Sequence, residues 1–184
     1  MKINQLIVIG LAATSLLTAS SVSLAGNSGV NDAAPGTSLA GDVRHATAVY
    51  QDVGAAKAAG YALFLGCVSG PDQGAMGIHF VNGKLVGDGA LDVNKPEALI
   101  YEQRGGRLQF VAVEYVVLAA DWNARNTNPP VLEGQLFDYT GSPNRYGLPP
   151  YYSLHVWAWK SNPMGMFSEW NPRVSCEEFT GAGS

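Results

Sequence analysis

The sequence predicts an α+β domain in which one N-terminal helix packs on a curved, mainly antiparallel β-sheet. Three observations carry that prediction. Runs over 75–81, 108–120 and 151–160 alternate side chains with a period of two, as strands with distinct faces do. One stretch before them repeats small apolar residues at three- and four-residue spacing, the pattern of a helix with a single buried stripe. Asn82-Gly83 and Gly105-Gly106 punctuate the strand-like runs where tight turns would join antiparallel neighbours. With 184 residues, 47% of them hydrophobic, the chain can bury one sizeable core.

Residues 1–25 read as a secretory signal peptide. Lys2 gives a positive start, Leu6 to Ala19 is an apolar run, and Ser23-Leu24-Ala25 is a small-x-small cleavage site. That run is too short and too diluted by Gly, Ser and Thr to span a bilayer. The expected location is therefore secreted or periplasmic. Beyond residue 25 the chain has ten basic and fifteen acidic side chains, a net charge of −5. It lacks the basic footprint of a nucleic-acid binder and any Lys/Arg cluster suited to an anionic membrane. Its two cysteines, Cys67 and Cys176, should pair in an oxidising compartment, closing a loop of about a hundred residues.

The remaining elements follow in order. Residues 26–41 form a polar, Gly- and Ser-rich lead-in, and 42–184 a single domain. Asp42 is the expected N-cap of the helix, with Val43, Ala46, Val49, Tyr50, Val53 and Ala56 on its buried stripe and Gly60 at its end. His45 belongs on its solvated side. Tyr61 to Val68 is the first strand. In the second, Met76, Ile78 and Phe80 share one face and Gly77, His79 and Val81 the other. Residues 84–96 are a loop. Ala98–Glu102 and Leu108–Ala120 should form a hairpin across Gly105-Gly106, with Tyr101 opposite Phe110 and Leu99 opposite Ala112; Glu97 would then face Glu114, a like-charge contact, so either Glu97 lies beyond the paired region or a cation sits between them. Asp121 to Pro150 reads as irregular, with one short strand near Gln135–Tyr139, and its length suits a lid or wall. The last strand places Leu154, Val156 and Ala158 on one face and His155, Trp157 and Trp159 on the other. Met166, Phe167 and Trp170 should cap the core.

Parity then makes a candidate site. Each strand has one apolar face, and the opposite faces hold His79, Glu114 and His155. In one curved sheet these converge on the hollow side. An ionised buried Glu is costly unless paired, and two imidazoles or a metal held by them would meet that cost. Two His and one carboxylate leave open positions on a divalent zinc, iron or copper ion. Such an ion polarises a carbonyl or activates water, so a metalloenzyme is one reading. Glu97 would support a metal ligand from behind or act as general base, and Gly77, Phe110, Trp157 and Trp159 would be pocket walls, for a small apolar or aromatic partner. Alternatives are a non-catalytic pocket for a small hydrophobic ligand, a structural cell-envelope protein, or core histidines bonded to Glu114 and backbone. The chain has no G-x-S-x-G or phosphate-binding glycine loop.

At His79-Phe80-Val81-Asn82, at Pro96-Glu97-Ala98-Leu99-Ile100-Tyr101, and across the Leu154–Cys176 block the chain resembles a family of uncharacterised secreted bacterial proteins. That block contains His155-Val156-Trp157, Asn162-Pro163-x-Gly165-Met166-Phe167 and Trp170-Asn171-Pro172-x-Val174-x-Cys176. The resemblance spans roughly residues 45–176. It implies export and a single domain, and says nothing about a reaction.

Overall fold

A computed structural model describes residues 38–181. The expected signal peptide and most of the lead-in lie outside the described residues. Helix α1 (Leu39–Thr47) is followed by a 3-10 turn (Ala48–Gln51) and helix α2 (Val53–Ala58). Strands β1 (Ala62–Gly70) and β2 (Gly74–Val81) precede a one-turn helix α3 (Gly83–Val86). Strands β3 (Ala98–Arg104) and β4 (Arg107–Leu118) lead into α4 (Ala119–Asn123). The short strands β5 (Val131–Leu132), β6 (Gln135–Leu136) and β7 (Asp138–Thr140) come before β8 (Tyr151–Val156).

The single expected helix is two. The Ser38 hydroxyl, not Asp42, caps the first by accepting from Gly41 N. The Asp52 carboxylate caps the second by accepting from Gly54 N. With a cap of its own in mid-segment, the stretch restarts as a new helix, and Val49 is left exposed while Thr47 is buried. Gly60 ends the second helix at a φ of 94°, as expected. His45 is exposed. Asn82-Gly83 is not a tight turn, because the Asn82 side chain accepts from Lys84 N and starts α3.

Six strands form one antiparallel sheet in the order β1-β2-β3-β4-β8-β7, and β5-β6 is a separate hairpin. One face of the large sheet presents Ile78, Phe80, Leu99, Tyr101, Val113, Tyr115, Leu154 and Val156 to Leu39, Val43, Ala56 and Tyr61. Trp159 Nε1 donates to Thr47 Oγ1, Tyr101 OH to Tyr50 O and Arg44 Nε to Ala158 O, which fixes the helical segment on that face. The sheet is strongly curled. Strands β2 and β8 are three positions apart, about 14 Å in a flat sheet, yet the rings of His79 and His155 are 6.3 Å apart.

Two bulges revise the expected parity. Between Val68↔Gly77 and Ser69↔Ala75, Met76 is unpaired. It turns to the His79 side, not to that of Ile78 and Phe80. Gly77, at a φ of +111°, makes this possible and does not line the cavity. A Cβ there would sit 2.7 Å from Tyr101 O and 2.9 Å from Ile100 Cγ2. Gly77→Ala should therefore cost on the order of 2–3 kcal/mol. Urea unfolding checks it, and an unchanged midpoint would contradict the assigned strain. In the hairpin the Gly105-Gly106 turn forms as expected, with Tyr101 opposite Phe110. Val111 is then an extra residue, so Leu99 faces Val113 and Ala98 faces Glu114. The like-charge pairing of Glu97 with Glu114 does not occur. Phe110 consequently lies with Tyr101 and Trp159 on the helix-facing side, not in the pocket.

The C-terminal segment is tied on twice. Cys67 and Cys176 form the expected disulfide, 109 residues apart. Buried Glu102 accepts from Ser175 N at 3.1 Å, from Arg104 Nε at 3.2 Å and from Lys160 Nζ. Burial would raise its carboxyl; the Lys160, Ser175 and Arg104 partners outweigh that and hold it below the ordinary value. Phe167 and Trp170 are half-buried as core caps should be, but Met166 is exposed. Among the described residues no helix is long and apolar enough to cross a membrane.

Candidate metal centre and its cavity

The three predicted ligands meet. Register explains it: His79 lies opposite Ile100, Ile100 opposite Ala112, and Glu114 opposite His155, all on the hollow face. His79 Nε2 is 3.7 Å from Glu114 Oε2, and His155 Nδ1 is 3.7 Å from Glu114 Oε1. One ligand atom from each of the three lies within 4.8 Å of the other two. A tetrahedral ion with bonds of about 2.0–2.2 Å places its ligands about 3.3–3.6 Å apart. The two His–Glu separations, each to a different carboxylate oxygen, lie just above this range, and the three candidate ligand atoms lie within 4.8 Å of one another.

The donors are poised for a cation. Burial pushes both imidazoles down to about 4. For His79, Glu114 opposes that effect and His155 adds to it. Burial also raises the Glu114 carboxyl, with His79 and Ser153 opposing. Burial thus disfavours charge on all three groups, and 3.7 Å is too long for a hydrogen bond. Neutral imidazoles are the form a metal requires. Among the described residues the outer atoms, His79 Nδ1 and His155 Nε2, are buried without hydrogen-bond partners. The Gly77 backbone lies beside His79 and favours its charged form without completing a bond of good geometry. Metal-bound imidazoles usually have an acceptor there, worth about 10–100-fold in affinity.

A cavity of about 450 Å³ opens over His79 and Glu114. Its walls include Leu65, Met76, Val116, Tyr146, Leu148 and Tyr151. Leu63 and Phe64, 45% and 53% exposed, stand at its rim on the edge strand β1. The 141–150 segment supplies one wall, as its length suggested. Asn144 holds that wall in shape: its Nδ2 donates to the Gly141 and Leu148 carbonyls, and its Oδ1 accepts from Tyr146 N and Leu148 N. Met76 and Tyr146 are cavity residues that periodicity does not select, whereas Tyr151 shares the parity of His155 and is missing from the predicted pocket. The Asn144-Arg145-Tyr146-Gly147 turn was the available signal, since an aromatic in a tight turn inside a long irregular segment suits a wall.

The other predicted residues divide. Trp157 is buried on the His155 side, its ring stacked at 6.4 Å and 19° on the imidazole and its Nε1 donating to Ser168 O. It backs the ligand without lining the main cavity. Trp159 lies beyond the end of β8 and packs on Phe110, on the opposite face from that predicted. Glu97 does not line the cavity either. Its Oε2 accepts from Val116 N at 2.9 Å, extending the β3–β4 ladder one step past Ala98↔Glu114.

Burial pushes the Glu97 carboxyl up to about 8, against the Val116 hydrogen bond. This sets a pH dependence. The two imidazoles, lowered from 6.5 to about 4, contribute stability that is complete above 6.5 and lost as pH falls toward 4. Glu97, raised from 4.5 to about 8, contributes stability present below 4.5 and lost as pH rises to 8. Between pH 6.5 and 8 the histidine contribution is constant and the carboxyl loss continues. Metal-free protein should therefore weaken over that interval. Glu97→Gln should weaken by about 2 kcal/mol less. Urea unfolding at the two pH values decides it, and parallel losses would refute the shift.

Comparison with protein-family models, curated proteins and solved structures finds no match for this chain.

Proposed function

We propose that this is an exported, single-domain pocket protein that holds a divalent zinc, iron or copper ion through His79, Glu114 and His155. The ion would face a cavity for a small apolar or aromatic molecule. The observation that carries the reading is the meeting of three buried donors from three different strands, two of which, His79 and Glu114, line one apolar cavity. When bound, the ion would supply a Lewis-acid centre able to polarise a carbonyl or activate water. The chain's own contribution is to hold two neutral imidazoles and one carboxylate in place, and to exclude bulk water with apolar walls. The signal-peptide pattern and the disulfide support an oxidising, extracytoplasmic setting.

A zinc titration of the purified protein against a chromophoric chelator tests the reading. One equivalent should bind at neutral pH. Absence of stoichiometric zinc, iron and copper binding would end it. The apolar cavity lining favours a second reading, a non-catalytic pocket in which the same three groups anchor a hydrophobic ligand by hydrogen bonds. In that case an apolar ligand binds equally well before and after chelator treatment.

A further inference from the structure

We infer that the occupant of the cavity is a compact hydrophobic monoanion, of the class of aryl- or branched-alkyl carboxylates, bound through its charged end at the His79–Glu114–His155 centre. The inference rests on the metal reading above and adds the charge and size of the ligand.

A divalent ion held by one carboxylate and two neutral imidazoles keeps a net charge of +1. Among the described residues Glu114 is the only acid lining the cavity, and no Lys or Arg lines it. Three acids outside the cavity act on these groups: Glu97 is buried and turned to Val116 N, while Asp138 and Glu169 are exposed to solvent. The latter two influence His155 and Glu114 only at a distance, and Arg145 opposes Glu169. A buried charge without a partner is costly. An anion entering the cavity supplies that partner, and a neutral molecule does not.

Shape and polarity define the rest. The cavity holds on the order of fifteen water volumes at ~30 Å³ each, room for a ring or branched chain with one polar group. Tyr146 brings an under-used donor to its wall: among the described residues its hydroxyl donates to Met76 Sδ, at 3.7 Å, a weak acceptor. A carboxylate with one oxygen at the centre can take a hydrogen bond from Tyr146 with the other. Leu63 and Phe64 at the rim give the apolar end a matching surface.

The test uses Co²⁺ as a spectroscopic probe. Purified protein is first titrated with Co²⁺, and the loaded protein is then titrated with 3-phenylpropanoate, 3-phenylpropanamide and acetate while the visible bands are followed. Phenylpropanoate should shift the bands and bind at least ~10-fold tighter than either the amide or acetate. Tyr146→Phe should weaken phenylpropanoate about 5-fold and leave Co²⁺ affinity unchanged. Failure to take up Co²⁺ or zinc overturns the metal reading and this inference together. Uptake of metal with equal binding of phenylpropanoate and amide overturns the inference alone. Acetate binding as tightly as phenylpropanoate, or phenylpropanoate binding undiminished in metal-free protein, does the same.

Discussion

Glu114→Gln should lower zinc affinity by at least about 100-fold, on the order of 3 kcal/mol, while the metal-free protein stays folded. Glu114 is the sole anion in the donor set and sits between the two imidazoles, 3.7 Å from each. An amide of the same shape fills the space but offers a neutral, weakly coordinating oxygen. Burial already favours the uncharged carboxyl in the absence of metal, so the substitution removes little from the apo state. The two effects are therefore separable. Chelator competition reads the loss of affinity, and urea unfolding of chelated samples reads apo stability. A variant that binds zinc like the parent would show that Glu114 is a core residue. A variant that fails to fold would show that the three groups hold the sheet together themselves.

Opening the Cys67–Cys176 bridge should destabilise the protein by about 4–5 kcal/mol, the chain-entropy value for a loop of this size. The bridge joins residues 109 apart, and its loop contains every described element but the helical segment before β1, the first five residues of β1 and the chain after Cys176. The segment should stay docked in the reduced native state, because Glu102 still binds Ser175 N and Lys160, and Val174 remains buried with Trp157 and Ile100. The ligands belong to β2, β4 and β8, none of which ends in the bridge. Zinc affinity should accordingly change less than about tenfold on reduction, even as stability falls. Urea unfolding of the Cys67→Ala/Cys176→Ala variant, with chelator titration alongside, measures both. Equal midpoints in variant and parent would contradict the loop argument.

The site was more legible in the sequence than the pocket around it. Alternation places His79, Glu114 and His155 on one face, and the curl of the sheet brings them together. Each ligand lies in a regular stretch of its ladder, 78–81, 112–118 or 151–156. The misplaced residues lie at or beyond a break in that regularity. Met76 and Gly77 sit at the first bulge, Phe110 is across the Val111 bulge, and Trp159 follows the end of β8. Period-two reasoning holds only while two strands advance together, so one unpaired residue inverts every assignment past it. Gly77 inside an apolar strand carried a readable warning, since such a glycine often marks a bulge. Val111, one valine among several, carried none. Glu97 was placed by counting from the hairpin turn, and the same unpaired valine moved it. The helix failed for a different reason: Asp52 could continue a polar face or cap a new helix, and spacing alone does not choose between them.

X-ray absorption at the zinc K edge of the loaded protein tests the centre most directly. The account predicts two imidazole nitrogens with oxygen donors at about 2.0–2.2 Å. It also predicts that the His79→Ala/His155→Ala variant loses the imidazole scattering. A first shell of oxygen alone in the parent, or a spectrum unchanged in that variant, would place the metal elsewhere and leave the three groups as a buried polar cluster.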